Sequence, residues 1–465
     1  MNRLSHPVYS LLFILLSCLF TTVNGQNTSI HFQITGLENQ ELITGYYWQN
    51  KQYALDTLYL DKAGVGDWNH RQLDEGLYFI VVPGNRYFDL LIGKDQAFTV
   101  TADIRNLLGT MKISDSCESS IYLAYQKDAQ DIQNQYRHYE LLFDNSLPDS
   151  TEIFRKRMKE TKAGLELLKD SFIRQYPHSL TAGVIRMLKN DIPQWQPKGM
   201  TTTNLRDLYS RTISHFLDGI DLSDPRLLHT PYPAEKLDMY FNRMIPQSND
   251  SLIKAIRITG QKFSMSKPYR DFLFTWLLQN YTRRRFPGSE RVYVYVAEQI
   301  IKAGDVAGFD ETAFRKLQAK IDLMKATLPG TVPPGLSLPD PDGKVRNIST
   351  LNDRYTIVFF FDLNCPACKY ATSEITRISS PYGSKRLSVY AVCMSNDRQA
   401  WLKYTDTANP MWIEVTGAGN ADLVRDYHLE YLPVIYLIGK DKKIVAGNLG
   451  IPELEKLLQK LYADD

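Results

Sequence analysis

Between Ser29 and about Ile104, apolar and polar residues alternate at the two-residue period of a half-buried strand, as in Ile30-His31-Phe32-Gln33-Ile34, Leu58-Tyr59-Leu60 and Phe98-Thr99-Val100. Turn sequences punctuate the runs at Asp61-Lys62-Ala63-Gly64, Asp74-Glu75-Gly76 and Pro83-Gly84-Asn85. Short strands at that spacing predict an antiparallel, sandwich-like β domain over residues 26–113. The aromatic cluster Tyr46, Tyr47, Trp48 reads as strand packing rather than as a binding face.

From about Ser114 the period lengthens to that of a helix. Phe154, Met158, Leu165, Leu168 and Phe172 fall on one helical stripe, and similar stripes recur over 252–263 and 314–328. Stops at Tyr176-Pro177, Ile192-Pro193, Asp224-Pro225, Pro231-Tyr232-Pro233, Ile245-Pro246 and Pro287-Gly288 break these stripes into hairpins without a repeat period. The expectation is an all-α region over 114–327. Arg283-Arg284-Arg285 reads there as a helix end whose charges complement the dipole and face water, not as an anion site.

Leu328-Pro329-Gly330-Thr331-Val332-Pro333-Pro334-Gly335 is a turn-rich linker. Past it the pattern is mixed, which predicts an α/β domain over 328–465. A hairpin is expected around Asp340-Pro341-Asp342-Gly343, then a buried strand over 355–361 whose continuous apolar run suits a sheet covered on both faces. A helix from about Pro366, a strand over 387–392, a helix over 398–405, strands over 434–438 and 443–447, and a helix over 452–462 complete it.

The first 25 residues read as a secretory signal peptide: Arg3, an apolar run from Val8 to Phe20, then Thr21, Thr22, Asn24 and Gly25. The run is too short for a membrane span. A lipoprotein signal ending on Cys18 fits less well, because Leu16 is bulky and Leu19-Phe20 prolong the apolar run. Export to a periplasm or cell envelope is expected, with membrane association through Cys18 as the weaker form of it.

The chain has 465 residues, enough for two or three domains, and 43% hydrophobic with 23% charged residues is an ordinary soluble composition. Its 54 Lys and Arg against 52 Asp and Glu leave a net charge of +2, which excludes the basic footprint of a nucleic-acid-binding domain. Five cysteines are too few for a disulfide scaffold, so each is read by its surroundings.

Cys365-Pro366-Ala367-Cys368 falls where the buried strand gives way to a helix. Pro366 suits the first helical turn, which leaves Cys365 facing free backbone N–H groups. Those groups and the helix dipole favour a thiolate, lowering the sulfur's pKa from about 8.5 toward the range of roughly 3.5 to 7.5. Cys365 is thus the expected nucleophile, and Cys368 the resolving thiol that attacks the mixed disulfide. A zinc site would need a second CxxC or paired His, and Cys393 alone does not supply it. A static disulfide closing so short a loop would constrain the unfolded chain little. Cys393 reads as a buried strand residue, and Cys117 as a thiol in a Ser-rich stretch without an assigned partner.

From Leu328 onward the chain resembles the thioredoxin-like domains of the TlpA/ResA type, exported thiol–disulfide oxidoreductases. The likeness rests on Asp362-Leu363-Asn364-Cys365-Pro366-Ala367-Cys368-Lys369, on Val389-Tyr390-Ala391-Val392-Cys393, and on Tyr427-His428-Leu429-Glu430-Tyr431-Leu432-Pro433-Val434. It implies a cis proline at Pro433 against the dithiol and substrate backbone pairing at Leu432, with Asn364 and Pro366 as further substrate contacts. It implies protein dithiol or disulfide substrates, a redox partner protein, and neither cofactor nor metal. The upstream regions, including Leu217-Asp218-Gly219-Ile220-Asp221, resemble the extension of unassigned biochemistry that precedes such domains in exported Gram-negative bacterial proteins.

The likeness has gaps. Asn364 stands where the family often has Trp, Ala371 where many members have a glutamate, and Phe359 where thioredoxin itself has a buried acid. Glu374 reads as a solvated residue and Asp362 as a turn cap. His428 is the one histidine near the motif in sequence, and one His with a CxxC makes no metal set. Thiol peroxidase chemistry would want Thr or Ser three residues before the reactive cysteine, where Asp362 stands. The reading from another class is a surface binding module in which the thioredoxin-like domain is accessory or vestigial.

Overall fold

The computed structural model describes residues 27–48, 51–114, 117–145, 148–189, 202–283, 289–406 and 411–463. Residues 1–26, with Cys18, as well as Arg284 and Arg285, lie outside the described residues, and so do the side chains of Cys117 and Arg283. Compactness divides the chain at 182/183, with residues 48–51 joining the second unit. The limits read from sequence at 113/114 and 327/328 fall at changes of secondary structure.

In the first unit eight strands run in chain order as β1 (Thr28–Thr35), β2 (Glu41–Trp48), β3 (Lys51–Tyr59), β4 (Val65–His70), β5 (Gly76–Val82), β6 (Arg86–Ile92), β7 (Ala97–Asp103) and β8 (Lys112–Ser114). They form two four-stranded sheets, β4-β1-β7-β8 and β3-β2-β5-β6. Strand β1 pairs antiparallel with β4 and parallel with β7, β7 antiparallel with β8, and β5 antiparallel with both β2 and β6. Alternation does the work expected of it: Ile30, Phe32 and Ile34 of β1 are fully buried, and Trp68 of β4 packs edge-on against Tyr78 of β5. After the single turn α1 (Leu107–Thr110) come two 28-residue helices, α2 (Cys117–Asp144) and α3 (Pro148–Gln175). They pack as an antiparallel hairpin, since Tyr125 near the start of α2 meets Phe172 near the end of α3 at 5.5 Å between rings. The Ser119 hydroxyl fastens α2 to β6 by donating to the Leu91 carbonyl at 2.8 Å.

Helices continue with α4 (Leu180–Leu188), α5 (Thr202–His215), α6 (Tyr232–Asp238), α7 (Asn249–Phe263), α8 (Lys267–Arg283), α9 (Ser289–Ala303) and α10 (Glu311–Lys325). Helix α8 buries the four consecutive residues Asp271, Phe272, Leu273 and Phe274 besides Trp276 and Leu277, so more than one of its sides faces the interior. Helix α10 buries only Leu317 and Ile321 and lies at the surface.

The last part begins with the hairpin of β9 (Ser337–Pro339) and β10 (Val345–Asn347). The buried Asp340 carboxylate organises its turn, accepting the Asp342 and Lys344 N–H groups and pairing with Arg346 at 2.7 Å. Then follow β11 (Tyr355–Phe361), α11 (Pro366–Ser379), β12 (Leu387–Cys393), α12 (Arg398–Thr405), β13 (Ile413–Thr416), α13 (Ala421–Asp426), β14 (Val434–Gly439), β15 (Ile444–Ala446) and α14 (Ile451–Leu461). Strand order is β13-β12-β11-β14-β15, with β11, β12 and β13 mutually parallel, β14 antiparallel to β11, and β15 antiparallel to β14. Phe359, Phe361, Ile375, Trp401 and Leu454 fill one face of this sheet, and Val358, Phe360, Tyr390, Tyr427 and Tyr436 the other. Central β11 is covered on both faces, as its uninterrupted apolar run requires. Strand β13 and helix α13 are absent from the sequence reading.

The Pro- and Gly-rich linker is not a free tether. The Gly330 N–H donates to the Ile444 carbonyl at 2.7 Å and the Ile444 N–H to the Thr331 carbonyl at 2.8 Å, so the linker lies along the outer side of β15.

The chain is therefore multidomain: an N-terminal, largely antiparallel β region, a helical middle and a C-terminal α/β domain.

Candidate active site

Topology brings two separate stretches to one end of the five-stranded sheet. Strand β11 ends at Phe361, and its carboxyl end is where a parallel strand delivers the chain to the next helix. Because β14 runs antiparallel to β11 with Val434 opposite Phe360, the residues before β14 arrive beside the end of β11. Those residues are Leu432 and Pro433, joined by a cis peptide bond.

Between β11 and α11 the turn is locally specified. The Asp362 carboxylate accepts the Asn364 N–H at 2.8 Å, and the Asp362 carbonyl accepts the Cys365 N–H at 3.3 Å. Asp362 is thereby a turn cap. Cys365 has extended backbone dihedrals and is the N-cap of α11, with Pro366 at the first helical position, where its missing N–H costs nothing. The Cys365 sulfur accepts the Cys368 N–H at 3.2 Å, in the role a serine hydroxyl usually fills at a helix start. Its thiol donates to the Leu432 carbonyl at 3.5 Å. Cys365, Cys368 and Leu432 thus share one site, with Asn364 and Pro366 exposed at its rim and Pro433 half-buried.

The two sulfurs differ in surroundings. Both are free thiols; Cys365 is half-buried, whereas Cys368 is 1% exposed and sits in the core beneath α11 with Ala371 and Ile375. Burial, reinforced by the hydrogen bond to Cys365, pushes the Cys368 thiol up to about 12. Cys393, at the end of β12, is fully buried and burial pushes its thiol up to about 11. A cavity of about 180 Å³ beside Cys368, lined by Asp362, Leu363, Thr372 and Tyr404, has room for several waters at about 30 Å³ each. Iodoacetamide at neutral pH is therefore expected to label Cys365 at least about tenfold faster than Cys368 or Cys393, read by peptide mass mapping of the reduced protein. Equal labelling would mean that Cys368 is not shielded in solution.

The remaining acids fall into place around this site. Glu374 pairs with Arg377 at 2.9 Å, and Arg377 reaches Glu455 of α14 at 3.0 Å, so Glu374 serves a surface link between two helices. Phe359 is fully buried and stacks on Phe361. One acid escaped the sequence reading. Glu414 of β13 lies beside Ala391 of β12, is 8% exposed, and neither carboxylate oxygen has a hydrogen-bond partner among the described residues. Burial pushes it up to about 8, and its charge is felt by Cys393 and Tyr404. A strand pattern in which Ile413 and Val415 are apolar would turn Glu414 to solvent; α12 covers that face instead.

A central parallel strand leading into a helix capped by the first cysteine of a CxxC, with a cis proline opposite, defines a thioredoxin-like domain. Residues 329–446 match the model of the AhpC/TSA family. A crystal structure of a thioredoxin-like protein from Bacteroides caccae is 18% identical, covering 58% of this chain and 97% of its own, with a TM-score of 0.47. A solution structure of a thiol:disulfide interchange protein from Bacteroides sp. is 21% identical over 30% of this chain and 92% of its own, with a TM-score of 0.28. The thioredoxin domain of a thiol-disulfide oxidoreductase from Bacteroides vulgatus is 22% identical over 29% and 96%, with a TM-score of 0.27. No curated protein matches the chain.

Proposed function

We propose that this protein is an exported thiol–disulfide oxidoreductase acting on protein substrates through Cys365 and Cys368. The observation that carries the reading is the pairing of a half-buried sulfur at a helix N-terminus with a buried thiol one turn behind it. In the reducing direction, Cys365 as thiolate attacks a substrate disulfide, forming a Cys365–substrate disulfide and releasing one substrate thiolate. Cys368 then gives up its proton to water in the adjacent cavity or to the departing thiolate, attacks the Cys365 sulfur and releases the second. The substrate gains two electrons and the dithiol becomes a disulfide, which a dithiol-bearing partner protein returns to the reduced form. Oxidation of substrates is the same sequence reversed.

Leu432 offers its backbone to an extended substrate chain, with the exposed Asn364 and Pro366 flanking Cys365 in the chain and the exposed Tyr431 next to Leu432. Asp362 occupies the place where thiol peroxidase chemistry would need a hydroxyl, and its carboxylate is engaged by the Asn364 N–H. Export to a periplasm or cell envelope rests on the apolar segment 8–20 and gives a dithiol an oxidising setting. Among the described residues no helix is long and apolar enough to cross a membrane.

Replacing Cys368 with alanine in the full-length protein is expected to halt the cycle after the first step, leaving substrates attached to Cys365 through bonds that a reductant cleaves. Mass analysis of adducts in a cell-envelope extract reads this. No adduct on Cys365, together with a wild-type protein whose two cysteines fail to cycle with a dithiol, would leave the binding-module reading in its place.

A further inference from the structure

A polar cavity of about 140 Å³ lies between helices α8 to α10 and the loop that leads to Pro433. Tyr281, Glu290 and Tyr293 line it from the helices, and His428, Glu430 and Tyr431 from the loop. The loop ties this cavity to the dithiol. Tyr431 is bonded to Leu432, whose carbonyl receives the Cys365 thiol, and successive residues advance by at most about 3.8 Å. A chain laid along the loop with its cysteine at Cys365 therefore brings a side chain only a few residues away over the cavity.

His428, Glu290, Glu430 and the Tyr293 ring share the lining with the donor-bearing residues Thr282, Ser289, Lys320 and Asn448. His428 bonds the Leu323 backbone through one ring nitrogen, while its Nε2 is buried with no hydrogen-bond partner among the described residues. A neutral imidazole donating from Nδ1 leaves Nε2 as an acceptor, and burial lowers the pKa of His428, which favours that form. The Glu290 carboxylate accepts from the Asn448 side chain at 2.6 Å and, with Glu430, supplies negative charge. Lys320 is the one Lys or Arg among the described lining residues, and its ammonium sits 5.0 Å from the centre of the Tyr293 ring. The ring face suits a cation, and an incoming one takes the place of this ammonium. A cavity of about 150 Å³ can hold a benzene-sized group, so this one has space for a guanidinium or the end of a lysine.

We propose that this cavity is a subsite for the lysine or arginine side chain of the protein whose cysteine reacts at Cys365. The subsite rests on the thiol–disulfide reading of Cys365 and Cys368. It gives the helical region a part in the chemistry: α8 to α10 complete a specificity pocket that the thioredoxin-like domain cannot form alone.

The test uses the full-length protein with Cys368 replaced by alanine and peptides whose single cysteine carries an activated disulfide. Arginine, alanine or glutamate is placed at each of the three positions on either side of that cysteine, and the rate of mixed-disulfide formation is measured. At one position arginine is expected to react about tenfold faster than glutamate. In Glu290→Gln and in Tyr293→Leu that ratio is expected to fall to within about twofold. Equal rates for all peptides in the parent protein would overturn the subsite and leave the dithiol chemistry standing. A preference that survives both substitutions would place the recognition elsewhere and overturn it too. No mixed disulfide with any peptide would overturn the dithiol reading itself.

Discussion

Cys365→Ser is expected to lower dithiol-exchange activity, read as insulin reduction in the presence of a dithiol, by about a thousandfold or more while leaving the fold intact. The loss follows from the chemistry, since a serine hydroxyl does not attack disulfides. The retained fold follows from the position. Cys365 is an N-cap whose sulfur receives the Cys368 N–H, and serine is among the residues best suited to receive it. Helix α11 therefore keeps its cap, and the melting temperature should stay within the few degrees that about 1 kcal/mol produces in a domain of this size. Cys368→Ser is a harsher change: it places a hydroxyl in a core position that is 1% exposed, at a cost of about 1–3 kcal/mol. Cys365→Ser with activity within tenfold of wild type would remove Cys365 from the role of nucleophile.

Glu414→Gln is expected to change how stability depends on pH. Glu414 is held at about 8 in the folded protein against an ordinary value of 4.5. Below 4.5 both the folded and the unfolded chain keep the proton, so the group has no pH-dependent effect. Between 4.5 and 8 the unfolded chain releases the proton while the folded chain retains it, and unfolding becomes progressively easier. Above about 8 both release it and the loss levels off, at a total on the order of 5 kcal/mol. Glutamine has no proton to release. Its unpartnered amide shifts stability by an amount that does not vary with pH, so the difference in slope between the two proteins isolates Glu414. Denaturant unfolding at pH 5, 6, 7 and 8 should show wild type losing stability relative to Glu414→Gln across that series. Parallel profiles would mean that Glu414 is ionised and solvated in the native protein.

What could be read from the chain without coordinates was whatever sits close together along it. The strand–turn–helix around Cys365 is written in consecutive residues: an apolar run from 355 to 361, a capping acid at Asp362, and Pro366 to open the helix. The change of period near Ser114 and the Asp340 hairpin were legible for the same reason. Pro433 could be placed against the dithiol only through a resemblance, because β14 reaches β11 by an antiparallel pairing across some 70 residues of chain. Glu414 was not legible. Its strand is four residues long, and the helix that covers it lies earlier in the sequence, so local alternation assigns the wrong face. The cavity beside the Pro433 loop was hidden for a related reason, since its two walls come from residues 281–329 and 428–448. Ala371 and Phe359 leave no carboxylate beside Cys368 in the sequence, and the buried Glu414 that the fold brings in from an edge strand acts on Cys393 and Tyr404.

The linker that lies along β15 bears on how this domain avoids sticking to itself. A strand at the margin of a sheet exposes unpaired N–H and C=O groups, which invite another chain to add on. Here Gly330 and Thr331 already occupy those groups of Ile444. Residues that seem only to join two domains are thus a guard against edge-to-edge association. A C-terminal fragment beginning after Gly335 would keep its dithiol and lose that guard, so its self-association would say nothing about the oligomeric state of the whole chain.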